Sequence, residues 1–193
     1  MSDTISRKDF LRSGWRQLFK PSDDGPEKKV PPPPPFLRPP GALPEAEFLE
    51  TCEHCGECVE ACHQDSIHVM PEALGEPMAG TPAIFPQIRP CFLCTDVPCV
   101  PVCPTGALQP IAVADIRLGT AVVDLNLCIA AKGETCDACV PACPFPGTAI
   151  RIDTTLSIPL VDPVHCTGCG MCVTACVAKP GAITIFPFEQ VQV

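Results

Sequence analysis

Residues 52–62 read CEHCGECVEAC, and residues 166–176 read CTGCGMCVTAC. Both runs have the spacing C-x2-C-x2-C-x3-C. Two further runs, residues 91–103 (CFLCTDVPCVPVC) and 128–143 (CIAAKGETCDACVPAC), keep the last spacing but lengthen one gap. The sixteen cysteines therefore form four quartets, numbered in chain order: Cys52, Cys55, Cys58 and Cys62; Cys91, Cys94, Cys99 and Cys103; Cys128, Cys136, Cys139 and Cys143; Cys166, Cys169, Cys172 and Cys176.

The spacing of the quartets predicts iron-sulfur clusters. Three thiolates two residues apart let a tight loop turn its sulfurs onto three irons of a 4Fe-4S cluster. The fourth cysteine begins a helical turn that points away, so in two-cluster proteins it binds the other cluster. We expect all sixteen cysteines to be iron ligands of four 4Fe-4S clusters, and the activity to be electron transfer.

Two other uses of cysteine fit the pattern less well. Small disulfide scaffolds belong to secreted proteins, and cysteines two residues apart would need distant partners four times over. Zinc is the stronger rival, because two C-x2-C units make an all-thiolate site. A spacer of many residues usually separates such zinc pairs, whereas here the third cysteine follows at once. A structural zinc protein therefore remains a minor alternative.

Composition suggests that the clusters also support the fold. The chain of 193 residues has 26 prolines, 13 glycines, one tryptophan and no tyrosine. Such a chain builds a poor apolar core, so cluster binding should be coupled to folding. We expect the apoprotein to be largely unfolded.

Charge separates the first 40 residues from the rest. Residues 1–40 hold eight Lys/Arg and five Asp/Glu, and residues 41–193 hold five and 17. The acidic part argues against nucleic acid as a partner and favours a redox partner protein with a basic docking face.

The N-terminal segment divides into a head and a linker. Residues 1–20 can form a basic amphipathic helix that docks on a partner or a membrane surface through residues 6–20. Residues 6–12, SRKDFLR, resemble a twin-arginine signal, but no apolar stretch follows, so we expect a cytoplasmic location with peripheral membrane association. Residues 21–40 form a proline-rich linker, and residues 41–193 form the cluster domain. No apolar run is long enough for a transmembrane span.

Other chemistry has little support in the sequence. His54, His63, His68 and His165 lie in or beside the quartets, but four thiolates are already present in each. No G-x-G-x-x-G or P-loop sequence occurs, so neither nucleotide nor flavin binding is indicated. We find no catalytic acid, base or nucleophile and expect an electron carrier rather than an enzyme.

Short apolar strands alternate with the quartets. We predict strands at 66–70, 83–88, 107–111, 120–125, 149–152, 158–161 and 182–186. Strand, cysteine loop, short helix and strand make half of a ferredoxin-like unit, so four halves predict an α+β fold of two modules.

Two ways of pairing the four halves are open. Quartets two and three share a lengthened gap and a following proline (Pro104, Pro144), which favours nesting. The inner module, about 83–153, would hold quartets two and three, and the outer one quartets one and four. The last cysteines would then exchange: Cys62 with Cys176, and Cys103 with Cys143. Sequential pairing is the alternative.

Residues 37–187 resemble the four-cluster ferredoxin-type proteins of the NapG/MauM and NapF kind. The resemblance rests on LRPPGA (37–42), CFLCTDVPCVPVCP (91–104), the long first gap of the third quartet and CTGCGMC (166–172). It implies 4Fe-4S clusters at the quartets and electron transfer to a partner such as a molybdenum oxidoreductase, with a quinol-oxidising membrane subunit as a candidate donor. The NapF resemblance also allows a cytoplasmic maturation factor for a molybdenum reductase.

Overall fold

The computed structural model describes residues 35–188, which contain all four quartets. The predicted head at 1–20 and most of the predicted linker lie outside these residues. The helices are α1 (Glu45–Thr51), α2 (Glu57–Glu60) and α3 (Met171–Ala175), with 3-10 turns at Glu72–Leu74, Val113–Asp115 and Ala130–Lys132. The strands are β1 (Ile67–Val69), β2 (Pro82–Ile84), β3 (Gly119–Val123), β4 (Ile150–Ile152), β5 (Pro159–Val161) and β6 (Ile183–Pro187). These short helices and strands agree with the predicted small α+β class.

The second half of the described chain closes on itself through its first and last strands. β3 precedes the third quartet and β6 follows the fourth, and the two pair antiparallel from Gly119↔Pro187 to Val123↔Ile183. Between the quartets, β4 and β5 form an antiparallel hairpin with Ile150 opposite Val161. Residues 119–187 therefore form one module, the C-terminal module, which holds quartets three and four.

The first half repeats this plan with weaker strands. The hairpin of β1 and β2, with Ile67 opposite Ile84, joins the first quartet to the second. The chain entering the first quartet pairs with the chain leaving the second: Leu43 N–H donates to Ala107 O at 3.0 Å, and Gln109 N–H donates to Gly41 O at 2.7 Å. Residues 37–109 form the N-terminal module.

This strand pairing corrects the nested arrangement. An inner module at about 83–153 would require the strands beside quartets two and three to pair with each other, whereas each hairpin joins consecutive quartets. The lengthened gaps that quartets two and three share are features of their loops and do not determine which quartets become partners. The modules follow each other along the chain, as in the sequential alternative.

Six of the seven predicted strands correspond to observed ones, with ends that differ by up to four residues. The exception is 107–111, where only Leu108 forms an isolated bridge, with Ala42. Pro110 has no N–H to donate, so a ladder cannot continue through it. Residues 36–40, assigned to the linker, also belong to the fold, because Leu37 is only 1% exposed and bridges to Ile84.

Cysteines make up a large part of the core. The central cluster of buried residues includes Phe48, Ile84 and Ile116, each 0% exposed. Seven of its 21 buried members are cysteines: Cys58, Cys91, Cys99, Cys139, Cys166, Cys169 and Cys172. Within residues 35–188, no helix has the length and apolar character needed to cross a bilayer.

Arg38 fixes the start of the N-terminal module. Its guanidinium contacts both carboxylate oxygens of Glu45, at 2.9 and 2.6 Å, and donates to Thr81 Oγ1 and Pro82 O. It also lies 4.6 Å from the centre of the buried Phe48 ring. The side chain of Arg38 is only 9% exposed, so its charge is balanced within the protein.

Replacing Arg38 should destabilise the cluster-loaded protein. We expect Arg38→Met to cost about 3 kcal/mol, because Glu45, Thr81 and Pro82 O would lose charged hydrogen bonds in a mostly buried setting. The measurement is the urea midpoint of the protein under anaerobic conditions. Arg117→Met is the control, since exposed Arg117 donates only to nearby backbone carbonyls, and it should change stability by less than about 0.5 kcal/mol. Equal midpoints for the two variants would contradict this role of Arg38.

Candidate metal centres

The first set of thiols lies at the end of α1 and the start of α2. Cys52 follows α1, and its N–H donates to Phe48 O. Gly56 then adopts a left-handed conformation (φ 79°) that turns the chain into α2, where Cys58 is buried. The cavity enclosed by this loop is lined by Cys52, Cys55, Cys58 and, from the second quartet, Cys103.

The second set has the same composition as the first, with the quartets exchanged: three cysteines come from the second quartet and one from the first. Its cavity is lined by Cys91, Cys94, Cys99 and, from the first quartet, Cys62. Burial raises the pKa of Cys99 to about 12, and the charges of Cys91, Cys62 and Cys58 raise it as well. The nearness of Cys58 indicates that the first and second sets are neighbours within the N-terminal module.

The C-terminal module repeats this exchange. One cavity is lined by Cys128, Cys136, Cys139 and, from the fourth quartet, Cys176. Burial raises the pKa of Cys172, and the charges of Cys169, Cys166, Cys143 and Cys139 add to the rise. Cys143, from the third quartet, therefore lies with Cys166, Cys169 and Cys172 as the fourth set.

Each set thus takes three cysteines from one quartet and the last cysteine from its partner within the same module. The exchange of last cysteines was expected from the spacing, but the partners differ from those of the nested arrangement. Cys62 lies with the second quartet instead of the fourth, and Cys103 lies with the first instead of the third. Cys176 lies with the third quartet, and Cys143 with the fourth, for the same reason: each hairpin links adjacent quartets.

In the folded chain without metal, burial raises the pKa of many of these thiols. It raises the pKa of Cys58, Cys91 and Cys139 to about 11 in each case. Metal ligation requires thiolates, so iron binding must release these protons. Cys103 behaves differently: burial favours the thiol, but hydrogen bonds from Leu108, Thr105 and Gly106 outweigh it and lower its pKa.

Hydrogen bonds to sulfur surround the exchanged cysteines. Backbone N–H groups of Ser66, Phe145 and Ala182 donate to the Sγ atoms of Cys62, Cys143 and Cys176 at 3.3, 3.4 and 3.4 Å. Cys103 Sγ, besides its backbone donors, lies 3.7 Å from the hydroxyl of Thr105. Such donors stabilise the extra negative charge of a reduced cluster and are one of the protein's means of setting its potential.

His54 lines the first cavity beside its four thiols, and its backbone N–H hydrogen-bonds to Cys52. His54, His63 and His165 are exposed, and His165 Nδ1 lies 3.0 Å from Asp162 Oδ2. His68 lies on β1 with its ring 6.2 Å from that of Phe85. Sequence reasoning did not single out Thr105 or Arg38 as neighbours of the first set. The charge of Arg38 acts to lower the pKa of Cys52, although burial keeps that pKa raised overall.

The donor sets fit 4Fe-4S clusters. Four thiols from two loops line each of three cavities, and thiolate is the donor that such clusters require. In the described part of the chain, no three Cys, His, Asp or Glu side chains converge on the position of a single metal ion. Sulfurs arranged around a cavity suit a polynuclear group better than one zinc ion, whose four ligands all lie within about 2.3 Å of it.

Comparisons with known proteins agree with this assignment. The family model described as "4Fe-4S dicluster domain" matches residues 51–107, which span the first two quartets. The methylamine utilization ferredoxin-type protein MauM of Methylophilus methylotrophus is 45% identical over 163 residues, covering 79% of this chain and 71% of that protein. The ferredoxin-type protein NapG of Escherichia coli (strain K12) is 39% identical over 165 residues, with the same two coverages. NapF of Escherichia coli (strain K12) is 27% identical over 179 residues, covering 91% of this chain and 92% of NapF.

Proposed function

Since this chain belongs to the ferredoxin-type iron-sulfur proteins of the MauM and NapG kind, we propose that it carries four 4Fe-4S clusters and relays single electrons between partner proteins. The observation that carries the proposal is the gathering of sixteen thiols into four sets of four. When bound, a 4Fe-4S cluster supplies one-electron redox chemistry without making or breaking bonds to a substrate.

We assign the ligands by the exchanged pattern. The first set is Cys52, Cys55, Cys58 and Cys103; the second is Cys91, Cys94, Cys99 and Cys62; the third is Cys128, Cys136, Cys139 and Cys176; the fourth is Cys166, Cys169, Cys172 and Cys143. Apolar neighbours such as Val97 and Ile84 exclude water from the second set, and backbone N–H groups stabilise its sulfurs. The chain's own residues thus bind the metal groups, limit their contact with water and favour their reduced state.

The partners we propose are redox proteins. The excess of Asp and Glu in residues 41–193 favours a basic docking face on the partner. A molybdenum oxidoreductase or a quinol-oxidising membrane subunit is the candidate drawn from the family, and residues 6–20 are the proposed additional docking segment. We propose a cytoplasmic location with peripheral membrane association, because the twin-arginine-like residues 6–12 are followed by a polar segment at 13–29.

Metal analysis of protein purified without oxygen tests the proposal. We expect about sixteen iron atoms and as many acid-labile sulfides per chain, because each cubane contains four of each. Reduction should produce the EPR signals of paramagnetic 4Fe-4S clusters. A colourless protein with zinc and no sulfide would contradict the proposal and favour the structural zinc alternative.

A second candidate function, which the resemblance to the NapF kind allows, is maturation of a molybdenum reductase. Deleting residues 1–34 while keeping the described fold separates the two functions. Loss of partner assembly, with electron flow intact in the preassembled enzyme, would favour maturation. Loss of electron flow with normal assembly would favour the relay.

A further inference from the structure

The fourth cysteine loop lies directly on the N-terminal module. Cys91 N–H donates to Cys169 O at 2.8 Å, which joins the second and fourth quartets through their backbones. Beside it, Leu118 N–H donates to Thr167 O, also at 2.8 Å. Cys91, Cys169 and Thr167 are 8%, 7% and 4% exposed, so this contact is dry. We call the contact of residues 166–170 with Pro86, Cys91 and residues 118–119 the junction.

Two glycines of the fourth loop permit the close contact at the junction. A Cβ on Gly168 would lie 2.3 Å from Gly119 N and 2.5 Å from Gly119 O. A Cβ on Gly170 would lie 2.5 Å from Cβ of the rigid Pro86 ring. Real Cβ atoms are not found so close to other heavy atoms, so any side chain at either position would force the loop away.

The first quartet shows that backbone conformation alone does not explain these glycines. His54 occupies the position in the first loop that Gly168 occupies in the fourth, and it adopts a similar φ of 57°. Gly56 corresponds to Gly170, with φ of 79° against 88°, but a Cβ there would have no neighbour within 4 Å. The crowding is therefore specific to the fourth loop: at Gly168 it comes from Gly119 of the same module, and at Gly170 it comes from Pro86 of the N-terminal module.

Geometry within the modules gives the order of neighbours. α2 carries Cys58 of the first set and ends two residues before Cys62 of the second set. α3 carries Cys172 of the fourth set and ends just before Cys176, which lines the cavity of the third set. Together with the hydrogen bond between Cys91 and Cys169, these short connections place the four sets in the order first, second, fourth, third.

We propose that Gly170 is a positioning residue that seats the fourth cysteine loop on the N-terminal module beside the second loop, while Gly168 lets the same loop lie against β3, so that Cys91 and Cys169 form the electron passage between the modules. The inference rests on the proposed function and adds an order to it: the first and third sets stand at the two ends, where one-electron redox proteins dock. With clusters bound, one electron would pass at the junction from the cluster held by one set to the cluster held by the other, so that the first would be oxidised and the second reduced by one electron. No bond forms or breaks, and no proton moves.

A matched pair of glycine variants tests the inference. Gly170→Ala and Gly56→Ala place the same methyl group at the same left-handed position of equivalent loops, and only the former meets Pro86. Iron content and EPR of the dithionite-reduced protein are compared, with spin-spin broadening between neighbouring clusters as the readout. We expect full iron in both variants. Gly170→Ala should lose the broadening that arises between the second and fourth sets, and Gly56→Ala should retain it.

A second variant tests the inference if Gly170→Ala binds less iron than the unaltered protein. The double variant Cys55→Ala with Cys136→Ala removes one ligand each from the first and third sets and leaves the second and fourth complete. Spin-spin broadening between the two remaining clusters is expected, and its absence would overturn the inference. So would full iron with unchanged broadening in Gly170→Ala. A chain that binds no iron-sulfur cluster would overturn the proposed function itself, which the iron analysis of the unaltered protein shows separately.

Discussion

Removing the iron with a chelator in the absence of oxygen is expected to unfold most of residues 35–188. One third of the buried residues in the central core are cysteines, and without clusters their loops surround cavities instead of bonded metal. The strands are only three to five residues long, and two-stranded hairpins of that size are marginal in water. The free energy of cluster binding is therefore largely the free energy of folding.

The measurement is far-ultraviolet circular dichroism together with backbone hydrogen exchange before and after chelation. Exchange protection at the β3–β6 pairing should be lost, because that ladder closes the C-terminal module around its two thiol sets. Restoring iron and sulfide to the reduced apoprotein is the control and should bring the protection back. An apoprotein that keeps native-like dichroism and exchange protection would contradict this prediction, because the fold would then be stable without the clusters.

Combining cysteine variants should reveal which ligands share a cluster. Cys55→Ala removes a ligand of the first set. We expect the double variant Cys55→Ala with Cys103→Ala to abolish no further cluster, because both cysteines line one cavity. Adding Cys62→Ala to Cys55→Ala should abolish a second cluster, since Cys62 lines the cavity of Cys91, Cys94 and Cys99. The number of clusters is measured by spin integration of the EPR spectrum of the fully reduced protein.

The nested arrangement gives a different result for the first of these double variants. In it Cys103 would ligate the cluster of the third quartet, so Cys55→Ala with Cys103→Ala would abolish two clusters. The single variants Cys55→Ala and Cys103→Ala are the controls, and each should abolish one. Two clusters lost in that double variant would contradict the sequential pairing, whatever the result with Cys62.

The sequence predicted the local structure because the cysteine spacing acts within each loop. C-x2-C-x2-C determines how one loop turns, and the apolar runs beside the loops became β1, β2, β3, β4, β5 and β6. Pairing of the modules depends on backbone hydrogen bonds between distant segments, such as Leu43 with Ala107, and no local spacing encodes those. The irregular gaps of the second and third quartets lie within their loops, so they do not indicate which quartets pair in one module.

The residues around the thiols were harder to foresee than the thiols themselves. Thr105 lies two residues after Cys103, so its hydroxyl could have been considered from the sequence. The roles of Arg38 and Gly168 depend on contacts with residues far along the chain: Thr81 for Arg38, and Gly119 for Gly168. A single sequence shows that Gly168 is small but not what approaches it.

All sixteen cysteines lie in the described chain, and Cys55 is the one among them that is exposed. Oxygen and peroxide dissolved in water reach this sulfur first, whereas the other members of the set are half-buried or buried. Oxidation of its thiolate passes through sulfenic acid and, if it continues, becomes irreversible. Aerobic damage should therefore begin at the first quartet. The exposure that lets a redox partner approach this end of the cluster series also makes it the first site of inactivation by oxygen.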